Sequence, residues 1–471
     1  MDYDVIIVGA GPAGYFCAYE LTEKRPNLKV LLIEKGRAIN TRSCPILKGL
    51  IDKCPINKEG FQECYPSCSI TCGFGGAGAY SDGKFNITSE FGGWMQDYLE
   101  REELLDLINY VDSINLKFGA SNEITDPYTN KVKEIELRAM SVGVRLLRSR
   151  VRHLGTEENF KILGRIFKHL QKKVTMLFET DVVEIITENN EIRGVVTKDI
   201  EQFTAPKVLL AVGREGSKWL DTILEKRGIK MDQTQVDIGV RVECNDLIME
   251  EINKHLYEGK FVYRTSTGNT VRTFCSNPSG HVVMENYNGV INVNGHSYKD
   301  EAFRSENTNF ALLVSHHFAE PFNKPNEYAV KVSSLANQLA CGSVLVQKFG
   351  DLLLGRRTTV KRLNEGFMRP TLKEAVPGDL ALCLPHKTLQ SIIEMIRVLD
   401  KITPGIATEH TLLYGVEAKY YSARPEMTTE FETKAIKGLY LGGDGAGLTR
   451  GLAQAGACGV YIARNMLKEL K

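Results

Sequence analysis

A glycine-rich turn near the amino terminus constrains the fold of this chain more than any other feature. The apolar, β-branched run Val5–Val8 leads directly into Gly9-Ala-Gly-Pro-Ala-Gly14, and a helical segment follows. Beyond that helix, a second apolar run, Val30–Ile33, ends at Glu34, which lies twenty residues after Gly14. This order of strand, glycine turn, helix, strand and acid is typical of a βαβ unit that binds a dinucleotide.

Each residue of this motif has a mechanical role. Gly9 permits the tight turn, Gly11 lets a pyrophosphate approach the backbone, and Gly14 allows helix and strand to pack closely. The helix N-terminus directs N–H groups and partial positive charge toward the phosphates. Glu34 is expected to accept hydrogen bonds from a ribose, and its charge disfavours a ligand that carries a 2′-phosphate.

A second stretch, Gly73-Phe-Gly-Gly-Ala-Gly78, has the same glycine spacing. It follows a cysteine-rich segment rather than a strand, and no acid-terminated strand comes after it, so we do not predict a second dinucleotide site there. Its glycine density without a hydrophobic period favours a backbone that approaches a flat ligand. A flexible loop is the alternative interpretation.

Composition narrows the class of protein. The 471 residues predict two or three domains, and 59 basic against 58 acidic residues give no electrostatic footprint for nucleic acid or an anionic membrane. The sequence contains no apolar run long enough for a transmembrane helix, and no signal peptide is predicted. Eleven cysteines beside this enzyme-like motif favour reduced thiols in the cytoplasm over a disulfide framework.

The hydrophobic patterns predict an α/β fold in which a discontinuous Rossmann-like domain contains an inserted α+β substrate domain. The predicted domain ranges are 1–230, 231–405 and 406–471, and the first includes a Cys/Gly-rich segment at 41–90 and a helical insertion at 94–172. Predicted strands lie at 182–186, 192–197, 207–212, 270–275, 281–285 and 289–293, and the Rossmann-like pattern returns at 438–444. Predicted helices lie at 94–118, 135–172, 307–318, 386–400 and 453–469.

Three separated segments resemble FAD-binding flavoproteins. The N-terminal turn, Leu209–Gly213 and Leu441–Asp444 have the order and spacing of the glutathione-reductase-type superfamily, in its p-hydroxybenzoate-hydroxylase-like branch. A closer resemblance is to a bacterial family of FAD-utilizing dehydrogenases, and it covers nearly the whole chain. The segments that carry it are Gly73–Lys84, Arg152–Thr156, Gly239–Glu243 and Thr273–Val282.

The resemblance implies FAD as the cofactor and assigns roles to matching residues. Backbone groups at Val182 would bind adenine, Asp444 the ribityl chain, and segment 75–83 would lie against the flavin ring. The loop Gly445–Gly451 would direct the last helix toward the ring. Arg42 either reaches a phosphate or caps a loop. The implied cofactor-binding residues are Gly9, Gly11, Pro12, Ala13, Gly14, Glu34, Lys35, Arg42, Gly75, Gly76, Ala77, Gly78, Ser81, Asp82, Val182, Gly213, Gly443, Asp444, Gly447, Gly451 and Ala455.

Five cysteines, Cys44, Cys54, Cys64, Cys68 and Cys72, occupy one loop-like stretch. The spacing of Cys64, Cys68 and Cys72 suggests metal or iron–sulfur ligation, although it matches neither the paired zinc pattern nor the common ferredoxin runs. Ordinary reduced thiols near the flavin and a redox-active pair are the other interpretations. Four further cysteines are predicted to lie in the core: Cys275, Cys341, Cys383 and Cys458.

Candidates for catalysis come from four positions. Asp82 and Lys84 follow the second glycine loop, Arg241 would bind a substrate carboxylate, and His281 shares a strand face with Glu285 and would transfer protons. The alternative interpretation of each is an ordinary polar residue of a strand or of the surface.

The sequence therefore predicts a cytoplasmic FAD-dependent oxidoreductase that acts on a small organic substrate by hydride or electron transfer at flavin N5. Because no second βαβ fingerprint is present, NAD(P)H would bind transiently or a protein electron donor would replace it. Neither nucleic acid nor a membrane is an expected partner. The alternatives are a flavin monooxygenase, an RNA-modifying flavoprotein, and an electron-transfer flavoprotein with a cysteine-ligated cluster.

Overall fold

The fold is taken from a computed structural model that describes residues 2–45, 48–50, 64, 66–81, 83–232, 235–256, 258–287, 289–298, 301–319 and 321–470. Two compact units form. Unit 1 consists of Met1–Thr125, Ser149–Asp232 and Ser422–Lys471, and unit 2 of Asp126–Arg148 and Gln233–Tyr421. The assignment of cofactor and substrate domains to the ranges 1–230, 231–405 and 406–471 stays a prediction.

The helices are α1 (Pro12–Lys24), α2 (Arg101–Lys117), α3 (Asn130–Ser141), α4 (Thr156–Leu170), α5 (Ser217–Glu225), α6 (Asp246–His255), α7 (Pro325–Leu339), α8 (Phe349–Leu353), α9 (Val360–Asn364), α10 (His386–Asp400) and α11 (Leu452–Glu469). The strands are β1 (Val5–Val8), β2 (Val30–Ile33), β3 (Lys84–Ile87), β4 (Val144–Leu147), β5 (Arg150–His153), β6 (Thr175–Leu177), β7 (Val182–Glu188), β8 (Glu191–Thr197), β9 (Gln202–Thr204), β10 (Lys207–Leu210), β11 (Met231–Asp232), β12 (Gln235–Asn245), β13 (Lys260–Arg264), β14 (Thr270–Asn277), β15 (His281–Tyr287), β16 (Val290–His296), β17 (Asn307–His317), β18 (Leu345–Lys348), β19 (Val376–Pro377), β20 (Leu412–Lys419), β21 (Arg424–Pro425) and β22 (Leu439–Leu441).

Unit 1 is built on a five-stranded parallel sheet in the order β22-β10-β1-β2-β6. Strands β1 and β2 of this sheet are entirely apolar and buried, as a parallel sheet covered on both faces requires. The carboxyl ends of β1 and β22 lead into the glycine turn at 9–14 and the loop at 442–451. This arrangement confirms the predicted fold class, a discontinuous Rossmann-like α/β domain with an inserted α+β domain.

Helices α1 and α11 pack tightly within unit 1. Pro12 begins α1, where its missing N–H and fixed φ are favourable. A side-chain carbon placed on Gly459 would lie 2.0 Å from the backbone oxygen of Ala13, so α11 needs a glycine at this contact. The two ends of the chain thereby meet beside the dinucleotide motif.

Unit 2 contains an eight-stranded sheet in the order β19-β18-β20-β12-β17-β14-β13-β4. Alternate residues of β12 face opposite sides, and both sides are buried. One side is apolar and packs in the core with α6 and α10: Val236, Ile238, Val240, Val242 and Cys244. The other side carries Gln235, Asp237, Gly239, Arg241 and Glu243.

Several sequence-based elements are wrong. The helix predicted at 307–318 is wrong, because residues 307–317 form strand β17. This strand lies between β12 and β14 and is largely buried on both faces, which removes the period-2 signal. The long helix predicted at 135–172 is interrupted by β4 and β5. Cys341 is exposed and Cys275 half-buried, whereas Cys383 and Cys458 are buried as predicted.

Within the described part of the chain, no helix combines the length and the apolar composition that crossing a bilayer requires.

Helix α5 contains an acid whose burial predicts a pH-dependent stability. Burial and the neighbouring Glu225 raise the pKa of Asp221 to about 6 from 3.8, so the folded state binds this proton more tightly than the unfolded state. The free energy of unfolding should therefore fall as the pH rises between these values. We expect Asp221→Asn to stabilise the protein by about 1–2 kcal/mol near neutral pH, and not below about pH 4, in urea unfolding followed by circular dichroism.

The exposed Asp199 provides the matched control, because Asp199→Asn removes the same charge from a solvated turn. Equal stabilisation by Asp221→Asn at both pH values would contradict a role for its proton.

Candidate cofactor site

The two glycine-rich loops of unit 1 lie against each other. The Gly75 N–H donates to the Ala10 carbonyl at 2.8 Å, and a side-chain carbon placed on Gly76 would lie 3.1 Å from the Gly11 Cα. Gly75 has a φ of +88°, a left-handed conformation that glycine adopts without strain. The second glycine stretch is therefore part of the same site as the dinucleotide turn.

The C-terminal loop joins the same place. A side-chain carbon on Gly443 would lie 3.2 Å from the Ala13 Cβ, and one on Gly445 would lie 2.5 Å from the Gly213 carbonyl oxygen. Gly78 lies against Leu452, the first residue of α11. Four sequence-predicted segments thus converge within unit 1.

A neighbouring segment supports the C-terminal loop and was not identified from the sequence. The Trp94 N–H donates to the Leu448 carbonyl at 2.8 Å, and the Arg450 N–H donates to the Gly92 carbonyl at 2.8 Å. The Gln454 side chain donates to the Phe91 carbonyl at 3.1 Å. Residues 91–94 therefore brace the turn that leads into α11.

The loops leave space where a dinucleotide would lie. Among the described residues, a side-chain carbon on Gly11 would meet only the Gly76 Cα, at 4.0 Å, and one on Gly213 or Gly451 would meet nothing within 4 Å. Gly11 and Gly451 are also the N-cap residues of α1 and α11, so no capping side chain competes for the first N–H groups of either helix. Such a cradle fits a pyrophosphate at one helix and a flavin edge at the other.

Glu34 connects the two glycine loops, besides lying where a ribose is predicted. Its carboxylate accepts hydrogen bonds from the N–H groups of Ala10 at 2.8 Å, Gly36 at 2.8 Å and Gly73 at 3.0 Å. A carboxylate offers about four acceptor positions, so one remains for a ribose hydroxyl. The contact with ribose stays a prediction.

The predicted adenine position follows from the backbone beside Glu34. The Thr180 N–H donates to the Glu34 carbonyl at 3.1 Å, and the Glu179 N–H donates to the Gly36 carbonyl at 2.9 Å. Val182 begins β7 two residues after this contact and is buried. Val182 therefore follows, two residues later, the backbone contact that Thr180 makes at the end of β2.

Arg42 is a loop clamp in this structure. Its guanidinium donates to the backbone carbonyls of Ser69, Ile70, Phe74 and Gly76, at distances between 2.7 and 3.1 Å. These contacts use all five N–H donors that an arginine has. No donor remains for a phosphate, so the arrangement fits the loop-capping interpretation.

Asp444 lies at the turn between β22 and α11. Its carboxylate accepts a hydrogen bond from the Thr449 hydroxyl at 2.7 Å, and Arg214 Nε lies 3.8 Å away. A quarter of the side chain is exposed (25%), although surrounding protein raises the pKa of the carboxyl through burial. The position suits an acceptor that lines a crevice. The sequence did not single out Thr449 or Arg214.

The remaining predicted cofactor residues have mixed surroundings. Ser81 Oγ donates to the Gly78 carbonyl at 2.7 Å and closes a turn. Lys35 is half-buried and Ala77 exposed, whereas Ala455 is buried in the first turn of α11. Asp82, predicted for both cofactor binding and catalysis, lies outside the described residues.

The cysteine segment is described only in part, because Cys54 lies outside the described residues. Cys44, Cys64 and Cys68 are half-buried and Cys72 is buried. Burial raises the pKa of the Cys72 thiol, which disfavours the thiolate that metals and disulfides need. Among the described side chains, no group of three or more His, Cys, Asp or Glu is arranged to hold a metal ion.

Two catalytic candidates have structural surroundings. Lys84 is a half-buried residue of β3 that pairs with His153 in β5. His281 lies on β15, where its Nε2 is 2.9 Å from the Phe303 carbonyl oxygen. Lys84 belongs to unit 1 and His281 to unit 2.

Arg241 does not fit the predicted role of a substrate ligand. It is completely buried and binds Glu417 through two hydrogen bonds, at 2.8 and 2.9 Å. Its other N–H groups donate to the carbonyl of Cys275 and the side chains of Asn309 and Asn294. Because every donor is used inside unit 2, none is left for a substrate carboxylate.

Three protein-family models match segments of this chain. A model of the family described as FAD-dependent protein, C-terminal domain-like, matches residues 235–420, within unit 2. The Thi4 family model matches residues 1–41, and the model of glucose inhibited division protein A matches residues 370–471.

Two protein relatives were found by sequence. A protein of Clostridium beijerinckii described as uncharacterized is 26% identical over 489 residues, which cover 98% of this chain and 80% of that protein. Thiamine thiazole synthase of Coprinopsis cinerea is 57% identical over 35 residues, which cover 7% of this chain and 11% of that enzyme.

Solved structures of low similarity include three oxidoreductases. Glycine oxidase of Bacillus cereus (14% identity, TM-score 0.37) matches all of this chain and 96% of its own. L-proline dehydrogenase of P. horikoshii (11%, 0.37) matches all of this chain and 94% of its own. The FrdA chain of E. coli quinol fumarate reductase (14%, 0.41) matches all of this chain and 70% of its own. The glycine cradle and the family models together identify FAD as the cofactor.

Proposed function

We propose that this chain is an FAD-dependent oxidoreductase that dehydrogenates or reduces a small organic molecule, as in the FAD-utilizing dehydrogenase family that its motifs resemble. The observation that carries the proposal is the open space at Gly11, Gly213 and Gly451, where three loops and two uncapped helix N-termini meet. When bound, FAD supplies hydride or electron transfer at its N5 atom.

The protein's own groups would bind and orient the cofactor. The N–H groups of the first turn of α1 would hold the pyrophosphate above Gly11, where no side chain intervenes. Asp444 would accept a hydrogen bond from the ribityl chain. The N-terminus of α11 would face the flavin edge and stabilise negative charge there through its dipole.

The electron donor would be either NAD(P)H that binds transiently or another protein, because the sequence contains a single βαβ fingerprint. Purified protein is expected to show flavin absorption or to gain it on addition of FAD. Anaerobic mixing with a panel of small metabolites and with NAD(P)H should then bleach the flavin band for at least one compound.

Each outcome of that experiment discriminates among the functions. Failure to bind FAD would overturn the proposal. Oxygen consumption coupled to hydroxylation would identify a monooxygenase, and absorption at about 400 nm beyond the flavin bands would identify an additional cluster. Retention of tRNA by the protein would favour an RNA-modifying flavoprotein.

Asp444 offers a test of the cofactor orientation. We expect Asp444→Ala to weaken FAD binding by about ten- to a hundred-fold, because a charge-assisted hydrogen bond contributes roughly 1.5–3 kcal/mol. The control is Thr449→Val, which removes the partner of Asp444 but keeps its carboxylate, and it should weaken binding less. Equal affinities in fluorescence titrations of FAD would contradict the assignment.

A further inference from the structure

The C-terminal ends of three helices of unit 1 meet at one carboxylate. Glu23 belongs to α1, and its side chain accepts a hydrogen bond from Lys173, just beyond α4. His169 Nε2, on α4, lies 2.8 Å from the same carboxylate, and Lys117 Nζ, on α2, lies 3.6 Å from it. The contacts of Glu23 therefore join the ends of α1, α2 and α4 into one continuous surface.

This surface carries more cations than acids. Among the described residues, Glu23 is the acid in every ion pair formed here. The lysines and arginines at these helix ends are all exposed: Lys24, Lys117, Arg165, Lys168, Lys172 and Lys173. The C-terminal dipoles of three helices offset part of this charge, and a positive surface remains. The balanced charge of the whole chain therefore hides a local surplus.

The surface is charged but not apolar. Among the described residues, none of the exposed large hydrophobic side chains belongs to these helix ends. Insertion into a membrane and stacking of single-stranded nucleic acid bases both need exposed apolar or aromatic side chains. Exposed lysines instead steer the approach of an oppositely charged protein in a weak and rapid encounter. The chemistry of this surface therefore fits a small acidic protein best.

Helix α4 connects this surface with the glycine loops of the cofactor site. A side-chain carbon placed on Gly75 would lie 2.8 Å from Leu163 Cδ1, so α4 contacts the second glycine stretch. Lys168 follows Leu163 by five residues, which corresponds to about 8 Å along the helix axis. Phe167, beside Lys168, packs on Phe74 with ring centres 5.0 Å apart. A partner bound at the basic surface would thus lie near the cofactor loops, with buried rings between them.

We propose that the basic surface at the ends of α1, α2 and α4 is the docking site of a small acidic electron-carrier protein. Such a carrier holds an iron–sulfur cluster or a flavin and is oxidised by one electron in each encounter. Two encounters supply the electrons that reduce the bound FAD, and water supplies the protons. This inference rests on the proposed oxidoreductase function, for which it names the class of electron donor.

The test is anaerobic stopped-flow mixing of the FAD-loaded protein with reduced plant-type ferredoxin, a small acidic iron–sulfur protein. We expect the flavin band to bleach with a second-order rate constant that falls as salt is added. Lys168→Gln combined with Lys172→Gln should lower this rate constant about ten-fold at low salt, because two charges that steer the partner are lost. The difference should shrink at high salt.

Two further double variants separate charge from other effects. Lys168→Arg with Lys172→Arg keeps both charges and should keep the rate constant. Lys254→Gln with Lys331→Gln removes two exposed lysines from helices of unit 2 and should also leave it unchanged. The flavin spectrum and thermal unfolding verify that each variant is loaded with FAD and folded.

Failure of ferredoxin to reduce the flavin, or an unchanged rate constant in the glutamine variant, would overturn the proposal. If metabolites or NAD(P)H reduce a flavin that ferredoxin leaves oxidised, the oxidoreductase function stands and the docking site is rejected. A protein whose flavin none of these compounds reduces would reject both. Retention of tRNA that Lys168→Gln with Lys172→Gln abolishes would assign the surface to nucleic acid and likewise overturn the proposal.

Discussion

Gly11→Ala is expected to give a folded protein that binds FAD at least about a hundred-fold more weakly. The backbone at Gly11 has a φ of −71°, which alanine adopts readily. In the part of the chain that the structure describes, the added carbon would meet only the Gly76 Cα, at 4.0 Å. The same carbon would occupy the space through which a pyrophosphate approaches the N-terminus of α1. The fold therefore tolerates the change and the cofactor does not.

Substitutions at two other glycines serve as comparisons for Gly11→Ala. Gly14→Ala would place a carbon 1.9 Å from the Gly9 carbonyl oxygen, so it should destabilise the fold itself. Gly164 lies within α4, and a side-chain carbon there would meet none of the described residues within 4 Å. Gly164→Ala should therefore stabilise the protein by up to about 1 kcal/mol and leave FAD affinity unchanged. Fluorescence titration with FAD and thermal unfolding of the apoprotein measure both effects. Wild-type FAD affinity in Gly11→Ala would contradict the position of the pyrophosphate.

The cofactor site was predictable from the sequence because binding of the cofactor depends on the conformation of the backbone. A pyrophosphate needs glycine at fixed spacings between a strand and a helix, and that requirement is visible in Gly9–Gly14. The parallel strands were also predictable, because burial on both faces selects continuous apolar runs such as Val30–Ile33. Gly73–Gly78 could be placed near a flat ligand but not against Gly11, since that contact joins distant parts of the chain.

The residues that sequence reasoning misjudged are those whose partners come from far along the chain. The local sequence around Arg241 is compatible with a substrate ligand. In the fold, however, its guanidinium binds the carboxylate of Glu417, which lies 176 positions away in the sequence. Strand β17 loses its alternation because neighbouring strands bury both of its faces. In each case tertiary contacts outweigh the local pattern, which carries no information about them.

Arg42→Met is expected to lower the free energy of unfolding of the apoprotein by at least about 3 kcal/mol. The reason is that several buried carbonyl groups would lose their hydrogen-bond donor, and each such loss costs roughly 1 kcal/mol or more. Arg42 is 6% exposed, so water does not readily replace the guanidinium. The methionine keeps most of the apolar stem, which limits the loss from packing. FAD affinity should fall as well, since the clamped loop ends at the glycines that face Gly11.

The decisive comparison is Arg42→Lys in protein without FAD. A lysine keeps the positive charge but has three donors in place of five, so a clamp would be restored only in part. A residue that acted on a phosphate would show the opposite pattern. Its loss would leave the apoprotein as stable as the wild type, and lysine would recover most of the FAD affinity. Chemical unfolding of the three apoproteins, followed by FAD titration, distinguishes the two roles, and unchanged stability of Arg42→Met would reject the clamp.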